Sequence, residues 1–148
     1  MKKIITILIA ALVGFTSAAQ TSQNYAVTSL RSATFNQPFD TVTNTTAHYM
    51  VSGPIKGYFS TINVVLKATE ISGTTNGTAT LETSLDGVSW YPYYNAHDTS
   101  YSCTLLDQTG EQTFRWALHD WGDVYVRIKV VGIGTPNVKI AGQVHAKK

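Results

Sequence analysis

From residue 58 onward, apolar and polar side chains alternate with a period of two. Ile62, Val64, Leu66 and Ala68 fall on one face of the run Tyr58 to Ile71, and Asn63, Lys67 and Thr69 on the other, with Val65 the apolar exception. Ala79, Leu81, Thr83 and Leu85 alternate in the same way with Thr78, Thr80, Glu82 and Ser84. So do Phe114, Trp116 and Leu118 with their neighbours, then Val124 to Val130, then Val138, Ile140 and Val144. A period of two places successive side chains on opposite faces of a strand, as in an antiparallel sheet with one wet face. Shorter strand-like runs occupy Tyr25 to Leu30, Ala47 to Val51 and Tyr101 to Leu106. Residues 31–45, with Pro38 and many Thr and Asn, predict loop or edge structure.

Turn residues punctuate these runs: Ser52-Gly53-Pro54, Gly73 to Gly77, Asp86-Gly87, Asp107 to Gly110 and Gly132 to Pro136. The Gly73 to Gly77 turn predicts that the strands on either side of it pair as a hairpin. No capped run of period 3.6 appears beyond residue 19. The expected fold is therefore all-β, a single antiparallel β-sandwich or jelly roll of seven or eight strands. Residues 46–148 form its core, and residues 20–45 are a polar leader with a first strand at 25–30 and a loop.

Residues 1–19 have a different pattern. Lys2 and Lys3 precede an apolar run from Ile4 to Phe15, and Thr16-Ser17-Ala18-Ala19 supplies small residues. The run is too short to cross the roughly 30 Å of a bilayer's hydrocarbon, so it reads as a cleaved signal peptide. The expected location is periplasmic, cell-surface or secreted, with a virion as the alternative, and with no membrane span after cleavage. Lys2 and Lys3 carry the whole formal net charge of +2, so the remaining chain is neutral. A neutral chain without Lys/Arg clusters lacks the footprint of a nucleic-acid binder. Cys103 is the single cysteine, which excludes an internal disulfide and favours a buried, inert thiol.

Candidate chemistry is sparse. Trp90-Tyr91-Pro92-Tyr93-Tyr94 is the densest aromatic cluster. Exposed, such rings stack on sugars or anchor a protein interface; buried, they close one end of the core. Trp90 is assigned to the core, as large aromatics mostly turn inward. Tyr91, Tyr93 and Tyr94 remain as the candidate ligand-binding surface, with Trp121 and His119 as secondary candidates. His119, Asp120 and Asp123, with His97-Asp98 in another loop, offer acid–base groups for a small secreted hydrolase. No nucleophile elbow or zinc-binding helix accompanies them, and turn aspartates commonly bond their own backbone. No Asp-x-Asp-x-Asp loop gathers Asp86, Asp98, Asp107, Asp120 and Asp123 around calcium. No metal or cofactor is expected. His48 and His145 read as solvent-facing strand histidines.

Ser84-Leu-Asp-Gly-Val-Ser-Trp90 resembles the Ser-x-Asp-Gly-x-x-Trp turn of extracellular β-sandwich families, including discoidin-like carbohydrate-binding modules. Tyr125 to Gly132 resembles the strand that follows in those domains and in small virion β-sandwich proteins of phages. Thr78 to Leu85 fits the strand before the turn, and the similarity runs over residues 60–146. It implies a sandwich fold. It carries over no binding residue, because discoidin-like modules place ligand contacts on variable loops. The chain is shorter than a discoidin domain, and its signal peptide departs from an ordinary virion subunit. The function expected is a non-catalytic, extracytoplasmic structural or binding module of virion-associated or surface-adhesion type. The alternatives are a carbohydrate-binding module and the hydrolase. Its partner is a protein or a glycan surface, and a homo-oligomer is compatible with it.

Overall fold

The computed structural model describes residues 25–73, 75–94, 101–121 and 124–148, the side chains of Tyr25 and Asp120 excepted. Residues 1–19, on which the signal-peptide expectation falls, and His97, Asp98 and Asp123 lie outside these residues. Among the described residues eleven strands follow in order: β1 (Tyr25–Ser29), β2 (Arg31–Ser32), β3 (Phe39–Val42), β4 (Ala47–Val51), β5 (Phe59–Gly73), β6 (Gly77–Ser84), β7 (Tyr91–Pro92), β8 (Ser102–Leu105), β9 (Glu111–Trp121), β10 (Tyr125–Gly132) and β11 (Pro136–Lys147). The count exceeds seven or eight because short edge pieces form where Pro, Thr and Asn predict loop or edge structure.

All pairings are antiparallel, and the strands form two sheets. In the first, the order is β1-β11-β5-β9, with β3 on the same edge of β11 as β1. In the second, it is β2-β4-β10-β6-β7, with β8 beside β7 on the edge of β6. The alternation read from the sequence supplies the inner faces. Ile62, Val64, Leu66 and Ala68 of β5 are fully buried, as are Ala79 and Leu81 of β6. Val126, Ile128 and Val130 of β10 and Val138, Ile140, Val144 and Ala146 of β11 are buried with them. Leu30 and Val42 join the same core.

The hairpin predicted across Gly73 to Gly77 does not form. β5 pairs with β11 and β9 in one sheet, whereas β6 pairs with β10, β7 and β8 in the other. The segment is a corner that carries the chain between sheets, and Gly132 to Pro136 is a second corner packed against it. Gly73 stands opposite Pro136, Gly77 stands opposite Gly132, and Ile133 N–H donates to Asn76 O at 2.9 Å. The two long ribbons thus bend together, with one register carried through the corner from Gly77–Gly132 to Ser72–Asn137, the wrapping of a jelly roll. The glycines are required by contact: a Cβ on Gly77 would lie 2.4 Å from Val131 O, and one on Gly73 2.7 Å from Thr135 O. Turn residues signal a reversal of direction; here the reversal is through the thickness of the sandwich. A bulge at Asn137/Val138 leaves Ile71 without an opposite residue, and it is exposed.

Candidate functional site

At the end of β6, Ser84 organises the turn that follows. Its hydroxyl accepts from Gly87 N–H at 2.8 Å and Asp86 N–H at 3.3 Å, and donates to Asp86 Oδ1 at 2.8 Å. The same carboxylate oxygen accepts from Val88 N–H at 2.8 Å and Ser89 N–H at 2.7 Å. Donation from the Ser89 and Val88 amides, then from the Ser84 hydroxyl, holds the Asp86 carboxyl far below the usual carboxylate range. Gly87 takes a φ of +74°, and a Cβ there would meet the Tyr125 ring at 3.2 Å. Leu85, expected on the buried face of β6, is 79 % exposed, because the strand stops at Ser84 and the turn swings it outward.

β7 then returns along β6, with Tyr91 opposite Thr83 and Pro92 opposite Glu82. Side chains opposite one another share a face, so Tyr91 and Tyr93 follow Thr83 and Leu81. Tyr93 packs against the core, edge-on to Tyr101 (5.2 Å between centroids) and to Trp121 (5.5 Å). Tyr91 lies beyond the core's end and is 67 % exposed; Tyr94 is also exposed. Trp90 does not enter the core. It is half-buried on the outer face of the second sheet, its ring 4.4 Å from the Arg127 guanidinium, which Tyr49 covers at the same distance. Arg127 also pairs with buried Glu82. The register places Trp90 on Arg127, a partner that no local pattern reveals.

Thr83, Ser84, Leu85, Asp86, Ser89, Tyr91 and Trp121 line an open concavity of about 410 Å³. It brings Tyr91 and Trp121 together; Tyr93 supports Trp121 from behind, and Tyr94 is not among its walls. His119 is exposed on β9 opposite Thr61, and is not among those walls either. Ser84 has its hydroxyl committed to the turn, and among the described residues no histidine lines the concavity. The concavity thus sets two aromatic rings beside serine hydroxyls and the Asp86 carboxylate.

A second concavity of about 450 Å³ is lined by Phe35, Gln37, Phe39, Asp40, Thr41, Thr43 and His48. Asp40 is buried. Its Oδ2 accepts from the Ser32 hydroxyl at 2.8 Å and faces His48 Nδ1 at 3.5 Å, and its Oδ1 accepts from Thr41 N–H at 2.7 Å. His48 is therefore not the solvent-facing residue its strand pattern predicts: its side chain is 17 % exposed. Ser32 Oγ also accepts from Thr34 and Phe35 N–H, which leaves it engaged in structure. The Ser32–Asp40–His48 contact leaves no local signal in the sequence, because its members lie in a Thr/Asn-rich stretch and meet only through the fold. Cys103 is half-buried, and desolvation pushes its thiol up to about 11, which favours the protonated form. Among the described residues no group of three metal-binding side chains occurs, and no helix is long and apolar enough to cross a membrane.

No family model matches the chain, and no curated protein sequence does. Solved structures do. Vertex protein P5 of PRD1 superposes with a TM-score of 0.51 at 12 % identity, over 86 % of this chain and 99 % of that one. The C-terminal CBM6 of LamC, from Zobellia galactanivorans, gives 0.47 at 6 % identity, over 82 % of this chain and 100 % of the module. A CBM4 structure gives 0.45 at 12 % identity, over 88 % and 90 %. At these identities the likeness concerns the fold alone, and the two antiparallel sheets make that fold a β-sandwich.

Proposed function

We propose that this protein is a non-catalytic, extracytoplasmic binding or structural module of surface-adhesion or virion-associated type, which grips its partner at the Tyr91–Trp121 concavity. One observation carries the reading: Tyr91 and Trp121 flank a single open concavity whose polar lining is tied into a turn rather than into a catalytic pair. Export rests on the charged, apolar and small-residue order of residues 1–19. A second reading, carbohydrate recognition, is favoured by the lining itself. Aromatic rings stack on the apolar face of a sugar, while Ser84, Ser89 and Asp86 border its hydroxyls.

Tyr91→Ala tests both. On an array of neutral and acidic oligosaccharides, and on immobilised bacterial envelope, the variant should bind at least about tenfold more weakly, as loss of an aromatic anchor does. Its unfolding midpoint should not move, because Tyr91 is exposed. Loss confined to the array supports carbohydrate recognition, and loss confined to the envelope supports protein-directed adhesion. Wild-type binding by the variant on both surfaces removes the concavity as the site.

A further inference from the structure

Val88, Leu85 and Tyr91 are the three most exposed of the large apolar and aromatic side chains among the described residues. All three fall within seven residues, on the turn after β6 and at the start of β7. Single apolar side chains scattered over a surface need no explanation, whereas a group of them marks a contact site. The turn that carries them is stiff. Ser84 Oγ and Asp86 Oδ1 hold it with five hydrogen bonds, so a partner meets it already ordered. Leu85 and Tyr91 line the concavity with Trp121, and Val88 stands on the turn between them.

The lining carries one charge. Asp86 is exposed, and the Ser89 and Val88 amides and the Ser84 hydroxyl keep its carboxyl ionised. No cation does this: none of the ion pairs among the described residues includes Asp86. Thr83, Ser84, Leu85, Ser89, Tyr91 and Trp121, the other lining residues, are neutral. The π systems of Tyr91 and Trp121 attract a cation and repel an anion. Carboxylate and rings therefore favour the same kind of occupant.

We propose that the concavity takes the cationic side chain of a lysine or arginine presented on an apolar segment of a partner protein. The ammonium or guanidinium lies against the Tyr91 and Trp121 rings and pairs with Asp86, while apolar neighbours of that residue cover Leu85 and Val88. The aliphatic pair selects a protein over a glycan, because sugars stack on flat aromatic faces and a branched Leu or Val offers none. The carboxylate beside them selects against lipid, because seating the turn in a bilayer would bury an unpaired charge. This inference rests on the binding reading of the same concavity and adds the chemistry of its occupant.

The test is an NMR titration of the purified protein with short leucine–serine peptides that differ at one central residue: lysine, norleucine or glutamate. The Val88 and Ser89 amides and the Trp121 indole N–H report binding. The lysine peptide should bind about tenfold more tightly than the norleucine peptide, which keeps the stem without the charge. The glutamate peptide should be the weakest, and added salt should narrow the gap between lysine and norleucine. Asp86→Asn keeps a carbonyl acceptor for the turn amides and removes the charge, so it should cut the advantage of lysine. Tyr91→Leu keeps apolar bulk without a ring and should do the same. Equal binding of the three peptides overturns the proposal, as does binding of chitosan oligomers or phosphatidylcholine vesicles at these resonances without the lysine peptide. If Asp86→Asn disorders the turn, the salt series and Tyr91→Leu decide: a preference for lysine that neither reduces also overturns it. Capture lost in Tyr91→Ala while no peptide binds leaves the site standing and removes only its cationic occupant; wild-type capture by Tyr91→Ala removes both.

Discussion

Ser32 and Ser84 do the same local job at the ends of two strands of one sheet, β2 and β6, with different consequences. Each hydroxyl gathers two backbone N–H groups from the turn after it, residues 34 and 35 in one case, 86 and 87 in the other. Each then donates to a carboxylate at 2.8 Å. For Ser84 the carboxylate is Asp86, two residues on and solvent-exposed. For Ser32 it is Asp40, eight residues on, buried, and part of β3 in the opposite sheet. One device closes a loop; the other ties two sheets together. A polar group buried without a partner is costly, while one that water reaches is not, so location rather than chemistry sets the value of each bond.

Removing the buried carboxylate should have the largest effect. Asp40→Ala strips the partner from Ser32 and His48 and opens the link between sheets, costing about 3 kcal/mol, the range for breaking a buried polar pair. Urea unfolding measures it, and a loss below about 1 kcal/mol would show that the link contributes little beyond packing. The two serines compare more directly. Ser32→Ala should cost about 2 kcal/mol and Ser84→Ala about 1, because only the former strands a buried carboxylate. Equal losses in the same denaturation series would erase the distinction between the two turns.

The smallest effect is confined to one loop. The Asp86 carboxyl is held low by the Ser89 and Val88 amides and the Ser84 hydroxyl, so its ionised form is the one the folded turn prefers. Its contribution is therefore complete above the unfolded carboxylate value of about 4 and is lost only as pH falls below that, through the depressed folded value. The Val88 and Ser89 amide resonances should report this in an NMR titration as a transition well below the ordinary aspartate range. A midpoint at or above that range would mean that the turn does not grip the carboxylate in solution.

Much of the architecture is legible in residue order. The alternation in β5, β10 and β11 names the buried faces correctly, because a strand with one wet side has no other way to satisfy its side chains; in β6 it holds only as far as Leu81, beyond which Glu82 and Ser84 are buried and Leu85 is exposed. The Ser84–Asp86–Gly87 turn is legible for a related reason: its donors, acceptor and positive φ lie within a few residues. Three expectations fail together. The corner at Gly73 to Gly77 joins sheets instead of forming a hairpin, Trp90 stacks on Arg127 instead of entering the core, and His48 packs against Asp40 instead of facing water. The first two depend on partners far along the chain, the second corner at Gly132 to Pro136 and β10, and the third on β3, near in sequence but in the opposite sheet. Periodicity says which side of a strand a residue takes, but not which strand lies beside it.

The candidate site divides along the same line. Tyr91, Tyr93, Tyr94 and Trp121 stand out in the sequence as rings, yet only register separates them, sending Tyr91 and Trp121 to a shared concavity and Tyr93 behind it. The sequence by itself determined the all-β class, the strand faces, the Asp86 turn and the neutral charge of the chain after residue 19. These follow from neighbours in the chain and from the preference of apolar surface to leave water. Tertiary structure alone decided the two corners and the Ser32–Asp40 link between sheets. Those depend on which distant segments come together, a choice made by the whole core at once.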